Sequence, residues 1–384
     1  MLTKGALALL RSVTRWRRVR PPGRGQIRSL LVVELSRMGD VVAALPALET
    51  LRAGFPSSSV IVGVQDRFAP LVRALLPGMS VMGLARTDAA GGMVRALLAL
   101  RRTHPDLACN MSPGRRNALC VLSSGAPRMA GYLGWAEGMV PSLRRHPVEG
   151  RGIRVPTGLT SHMEPIGERA LNVCRALGLD APFRGGPYGV GPEAERPALL
   201  AMRAQGLPPL TPYAVVHPFA GWVHRAWPIQ RYGDLAEALA AGGGIEVVLL
   251  CSPEERPLLR PLRIRFRGWH RVKFFAPEDL IHAAVLIRGA SLFVGGDSGP
   301  LHLASALGVR AVALFGPAPP GLTAPALEPG SAIHYHKMAC SPCDQDVCVR
   351  PQDSCMHQIH AEDVIASAVE VLGTRRSAPV PVHA

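Results

Sequence analysis

Ser291-Leu292-Phe293-Val294-Gly295-Gly296-Asp297-Ser298-Gly299-Pro300-Leu301-His302 is followed by Leu303-Ala304-Ser305-Ala306-Leu307-Gly308-Val309-Arg310 and then Ala311-Val312-Ala313-Leu314-Phe315. Ser291–Val294 reads as a strand, Leu301–Leu307 as a helix and Ala311–Phe315 as a second strand. Apolar strands without polar alternation suit burial on both faces, the condition of parallel strands. The pattern extends upstream. Tyr213–His217 and Ile245–Leu250 read as strands, Pro228–Ala241 and Glu278–Arg288 as helices. In the first half, Leu30–Leu35 and Val60–Val64 read as strands. Weaker strand–helix units follow through Leu119–Leu122, and helical periodicity returns at Glu168–Leu177. Such alternation predicts an α/β fold with helices on both faces of parallel sheets.

The chain has 384 residues, enough for two domains and a sizeable core. About half the residues are hydrophobic (48%) and few are charged (18%), which excludes a disordered chain. No apolar run reaches the roughly 18 residues of a transmembrane helix. Residues from about 180 to 197 are rich in Pro and Gly and read as a linker. The expected organisation is a basic extension over 1–28, a first α/β domain over 29–180 and a linker over 181–197. A second α/β domain then covers 198–372, with a Cys-rich loop at 340–355, and 373–384 form a tail. Two such halves would face a central cleft, with ligands at the carboxyl ends of the strands.

The formal net charge is +15, and Lys4, Arg11, Arg15, Arg17, Arg18, Arg20, Arg24 and Arg28 all precede the first acidic residue, Glu34. A basic surplus favours polyanions. Aromatic residues, at 5%, are too few and scattered to stack nucleobases, so nucleic acid is not the expected partner. Leu2, Ala6, Leu9, Leu10, Val13 and Trp16 recur at helical spacing, with most of the cations elsewhere on the wheel. The segment reads either as an amphipathic helix on an anionic membrane surface or as a frayed basic tail. Its charges follow its apolar residues, so it is not read as an export signal.

Four strand-to-helix turns carry candidate chemistry. Gly39-Asp40 places a carboxylate after the first strand, where it can also cap a helix starting at Val41. His217-Pro218-Phe219-Ala220-Gly221 leads to Arg225, whose guanidinium can pair with phosphate oxygens. Glu255, or its neighbour Glu254, could accept hydrogen bonds from ribose hydroxyls. Ser298 and Gly299 offer N–H groups at a helix amino end, where the helix dipole favours a pyrophosphate. Gly-Asp-Ser-Gly-Pro over 296–300 looks superficially like a serine-protease nucleophile segment, but it opens a helix in an α/β repeat and not a β-barrel loop. The spacing fits neither the hydrolase elbow nor the dinucleotide-binding pattern.

Cys109, Cys120, Cys174 and Cys251 sit singly in apolar surroundings and read as buried thiols. Cys340, Cys343, Cys348 and Cys355 crowd into one loop. They read as a structural zinc or iron site, or as partly buried thiols or labile disulfides.

Together these residues resemble glycosyltransferase family 9, the ADP-heptose:lipopolysaccharide heptosyltransferases. Ser36, Gly39, Asp40, Leu45 and Pro46 match its opening S-x-x-G-D-x-x-x-x-L-P pattern. His217-Pro218, Trp222, Arg225 and Trp227-Pro228 match its central segment, with arginine where lysine is usual. Asp297–Gly308 and Leu314–Pro317 match its D-[ST]-G-x-x-H-L-A-x-A-L-G segment and the L-F-G-P after it. Ala43 and Ala44 stand where the family often has His and Thr.

The resemblance covers about residues 29–372 and implies a GT-B fold, two Rossmann-like domains with the acceptor on the first and the nucleotide sugar on the second. It implies inverting transfer of heptose from ADP-heptose to a lipid-linked or phosphorylated saccharide of the lipopolysaccharide core. The alternatives are another nucleotide sugar, a protein acceptor, or a non-catalytic binding protein of the same fold. Asp40 is then the catalytic base, and Arg225 with the N–H groups after Asp297 stabilises departing ADP without a catalytic metal. Asp297 and His302 would shape the donor loop. Arg115, Arg116 and Arg128 could attract the acidic acceptor or simply form a solvated basic face. The expected location is the inner face of the cytoplasmic membrane.

Overall fold

A computed structural model describes residues 27–85, 90–132, 152–154, 164–180, 187–207, 211–242, 244–343 and 347–373. The expected amphipathic extension, apart from residues 27 and 28, and the tail beyond 373 lie outside the described residues. The chain divides into two compact units, Met1–Gly185 and Gly186–Ala384.

The first unit holds β1 (Ser29–Glu34), β2 (Ser59–Gln65), β3 (Ser80–Leu84), β4 (Leu107–Asn110), β5 (Arg128–Gly131) and β6 (Gly152–Arg154). They form one sheet in the order β3-β2-β1-β4-β5-β6. Every pairing is parallel, as the apolar runs predict. β1 lies central, with Leu30, Leu31, Val32 and Val33 fully buried.

The second unit repeats the design with β7 (Tyr213–His217), β8 (Glu246–Leu250), β9 (Val272–Phe275), β10 (Leu292–Gly296), β11 (Ala311–Phe315) and β12 (Ala332–Tyr335). Its order is β12-β11-β10-β7-β8-β9, again parallel throughout. β7, β10 and β11 are buried at every residue. Trp227 anchors this unit: it is buried, stacks edge-on with Tyr232 at 5.0 Å, and its indole Nε1 donates to Ile359 O at 2.9 Å. That bond ties the turn after β7 to the segment leading into the last helix, Ala361–Gly373.

Two local expectations are corrected. The stretch expected to be linker, 181–197, becomes helical at Pro192, within a helix Pro192–Ala204. Pro at the first helical position and Glu193 and Glu195 in the first turn are helix-start signals that the Pro/Gly content obscured. This helix packs on helix Leu280–Gly289, where Glu195 pairs with Arg288 at 2.5 Å. Leu119–Leu122 closes a strand–helix unit as expected, β4 being followed by helix Arg115–Ser123. The helix after β1 is Met38–Ala43 and begins three residues before Val41.

Candidate active site

In both sheets the strand order reverses at one point, between β1 and β4 and between β10 and β7. Loops leaving the carboxyl ends of such strand pairs diverge and leave room for ligands.

In the first unit those loops carry a polar network. Asp40 is not the residue that precedes its helix but the third residue within it, where its carboxylate closes a capping box with Arg37. It lies in the first turn, and its Oδ2 accepts the Arg37 N–H at 3.2 Å, which leaves the carboxyl part-exposed. Behind the turn is Glu34, only 2% exposed. Its Oε1 accepts from Ser36 N at 2.9 Å, Ser112 Oγ at 3.2 Å and Asn117 Nδ2 at 3.3 Å. Asn117 Oδ1 takes the Leu35 N–H at 3.0 Å, and Gln65 Nε2 donates to Leu35 O at 2.6 Å and Ser36 O at 2.9 Å. Burial, and after it the charge of Asp40, pushes the Glu34 carboxyl up to about 7. Glu34, Ser112, Asn117 and Gln65 escaped sequence reasoning because they are scattered along the chain. Glu34, a lone acid ending an apolar strand, was the available signal.

Arg115 and Arg116 are exposed at the start of their helix, next to this network's Asn117. Arg128 is elsewhere. It opens β5 in register with Leu107, at the amino end of the sheet. Burial of its side chain lowers its pKa.

In the second unit the predicted residues converge. Gly295 and Gly296 close β10, and a Cβ there would stand 3.2 Å from His217 O and 3.3 Å from Arg225 O. Glycine is what lets the β7 and β10 turns press together. Arg225 Nη1 lies 2.9 Å from Asp297 Oδ2. Ser298 is the extended residue before helix Gly299–Ala306, with Oγ 3.5 Å from His217 Nδ1. His217 Nε2 is 3.8 Å from Glu255 Oε2, which accepts the Ser252 N–H at 2.8 Å. Burial pushes the Glu255 carboxyl up, but His217 and the Ser252 N–H outweigh it and hold the group below its ordinary value. Glu254 is exposed, so Glu255 is the carboxylate that faces this cluster. His302 is buried one turn into the helix and supports its packing. The sequence motif contains His217 without pointing to a role for it. Its place at the last position of a buried strand was the signal.

None of the eight cysteines is in a disulfide, and Cys109, Cys120, Cys174 and Cys251 are buried. Cys340, Cys343, Cys348 and Cys355 line one cavity of about 490 Å³ with Trp222, His224 and other residues. Burial, followed by the neighbouring thiols, pushes the Cys355 thiol up to about 11. Among the described residues no three His, Cys, Asp or Glu side chains are arranged to hold a metal ion. Among them, too, no helix is long and apolar enough to cross a membrane.

Two parallel, doubly wound sheets with polar clusters at their switch points define a two-Rossmann fold of the GT-B class. The family model of glycosyltransferase family 9 (heptosyltransferase) matches residues 174–352. Lipopolysaccharide heptosyltransferase 1 of Pseudomonas aeruginosa is 25% identical over 330 residues, 83% of this chain and 87% of that protein. The family 9 glycosyl transferase of Veillonella parvula superimposes with a TM-score of 0.75 at 18% identity, covering 93% of this chain and 99% of that one. The E. coli ADP-heptose lps heptosyltransferase II superimposes with a TM-score of 0.69 at 20% identity, covering 90% and 98%. The chain is thus similar to the heptosyltransferases of glycosyltransferase family 9, the family model falling mostly in its second unit.

Proposed function

We propose that the chain transfers heptose from ADP-heptose to a lipid-linked saccharide of the lipopolysaccharide core, inverting the anomeric centre. The observation that carries this reading is the convergence of His217, Arg225, Glu255, Asp297 and Ser298 at the switch point of the second sheet. It matches what a nucleoside diphosphate needs. A guanidinium has five N–H donors, so Arg225 can hold Asp297 and a phosphate oxygen at once. Ser298 and Gly299 add N–H groups at a helix amino end. Glu255 accepts from the ribose hydroxyls, and His217 orients Glu255 from behind.

Transfer needs a base to take the acceptor hydroxyl's proton as that oxygen attacks the anomeric carbon. Asp40 is assigned this role, being part-exposed and held by the Arg37 N–H. As the sugar–phosphate bond breaks, negative charge grows on ADP, and Arg225 with the helix N–H groups stabilises it. Asp297 fixes the guanidinium, and His302 supports the helix. Arg115 and Arg116 are exposed cations near the Asp40 network and suit a phosphorylated acceptor. Four thiolates from Cys340, Cys343, Cys348 and Cys355 would hold a structural zinc or iron, which would have to draw the loop inward. The basic extension over 1–28 would keep the enzyme on the cytoplasmic membrane surface near its substrate.

The test is product analysis by mass spectrometry, offering a heptose-free lipopolysaccharide core acceptor with ADP-heptose or with UDP- and GDP-sugars. A mass gain of one heptose with ADP-heptose alone is expected. Transfer from another nucleotide sugar, or only to protein, replaces this reading with that one.

A further inference from the structure

We propose that Glu34 is a positioning residue for Asp40, anchoring the turn that presents Asp40 and tuning by its own charge how strongly Asp40 holds a proton. The proposal rests on the reading of Asp40 as the base.

The geometry carries it. Glu34 ends β1, and its carboxyl is buried where the preceding strand residues are Leu and Val. A buried carboxyl is costly unless its oxygens are satisfied. Here one oxygen collects three donors, each from a different segment: the turn itself through Ser36 N, the loop after β4 through Ser112 Oγ, and the next helix through Asn117 Nδ2. Ser36 Oγ and Ser112 Oγ are 2.9 Å apart, so the turn is clamped a second time. The three residues between Ser36 and Asp40 stand on that clamp. A neutral side chain could bridge the same donors, yet the chain places an ionisable one there.

The charges around it make the ionisation matter. Asp40 is the charged group that acts on Glu34. Arg37 on the turn, Asp66 and Arg67 after β2, and Arg115 and Arg116 on the helix after β4 are all exposed, where solvent screens them. Two like charges in one site cannot both form without raising each other's proton affinity. With Glu34 protonated, Asp40 carries the only charge of the pair. Once Glu34 ionises, Asp40 gains affinity for a proton and the buried clamp carries an uncompensated charge. Glu34 thus couples the base to pH in the neutral range.

Carboxyl carbon-13 NMR on the full chain, labelled at Glu and Asp side chains and titrated from pH 4 to 9, tests the coupling directly. Glu34 should titrate in the neutral range, and its midpoint should fall by about one pH unit in Asp40→Asn. In parallel, the pH profile of heptose transfer by Glu34→Gln should lose its neutral inflection, while the acid limb set by Asp40 stays near that of wild type. A Glu34 midpoint indifferent to Asp40→Asn, or a Glu34→Gln profile that overlays wild type, overturns the proposal. If Glu34→Gln does not fold, Ser112→Ala serves: it removes a donor to the charged form, so the Glu34 midpoint must rise, and an unmoved midpoint counts against the clamp. Failure of the base reading looks different, because Asp40→Asn would then keep its turnover.

Discussion

Arg225 and Asp297 form an ion pair across the switch point of the second sheet, Nη1 to Oδ2 at 2.9 Å, with side chains only 16% and 9% exposed. The two residues follow β7 and β10, neighbouring strands. The pair therefore fixes the guanidinium beside the helix amino end at Gly299. Arg225→Ala should weaken ADP binding by about 1–3 kcal/mol, the range for losing a charged hydrogen-bond partner. Asp297→Asn should weaken it less, since the cation remains but is held less firmly. Titration calorimetry with ADP checks both, and unchanged affinity in the two variants would remove the nucleotide from this place.

Asp40→Asn should lower turnover by roughly a hundredfold or more while leaving ADP affinity intact. The substitution keeps the size of the side chain and an oxygen for the Arg37 N–H. Steady-state rates set beside calorimetry separate the two effects. Near-native turnover would return Asp40 to a helix-terminus role.

Glu34 makes stability depend on pH. Its folded pKa, about 7, lies above the ordinary 4.5, so between these values the folded protein binds more protons than the unfolded chain. Stability is then greatest at the acid end of that window and declines as pH rises towards 7. The full effect is about 3 kcal/mol, at about 1.4 kcal/mol per pH unit. Denaturant unfolding at pH 5 and pH 8 should show the decline in wild type and a flatter profile in Glu34→Gln. A wild type equally stable at both values would contradict the raised pKa.

Elemental analysis of the purified chain should find about one zinc or iron per chain, a four-thiolate site holding a single ion. Cys343→Ser and Cys348→Ser should each lose it, while Cys120→Ser, in the buried helix Arg115–Ser123, should not. A metal-free wild type prepared without chelator would leave the cavity lined by Cys340 and Cys355 as a thiol pocket.

The sequence alone determined which strands form the middle of each sheet. Leu30–Val33, Ala214–Val216 and Ala311–Phe315 are apolar without interruption because both faces are covered, and that signal is local. β3 and β12 at the sheet edges are partly exposed and carry mixed residues, so they passed unnoticed. The helix at Pro192–Ala204 was hidden by composition, although its start signals were present. In the second unit the site was legible because its parts cluster after strand ends in recognisable segments. Even there, only the fold chose Glu255 over Glu254, by turning one carboxylate towards His217 and the other outward.

In the first unit Asp40 could be named from its motif, but its setting could not. Glu34, Gln65, Ser112 and Asn117 are up to 83 residues apart and meet only because β1, β2 and β4 lie side by side. Arg128 shows the converse. The sequence offers it as an acceptor-side cation together with Arg115 and Arg116, yet the register of β5 sets it at the amino end of the sheet. Hydrophobic periodicity is written locally and specifies the core. Which polar side chains share a loop cluster depends on strand order and register, and only the tertiary structure decides those.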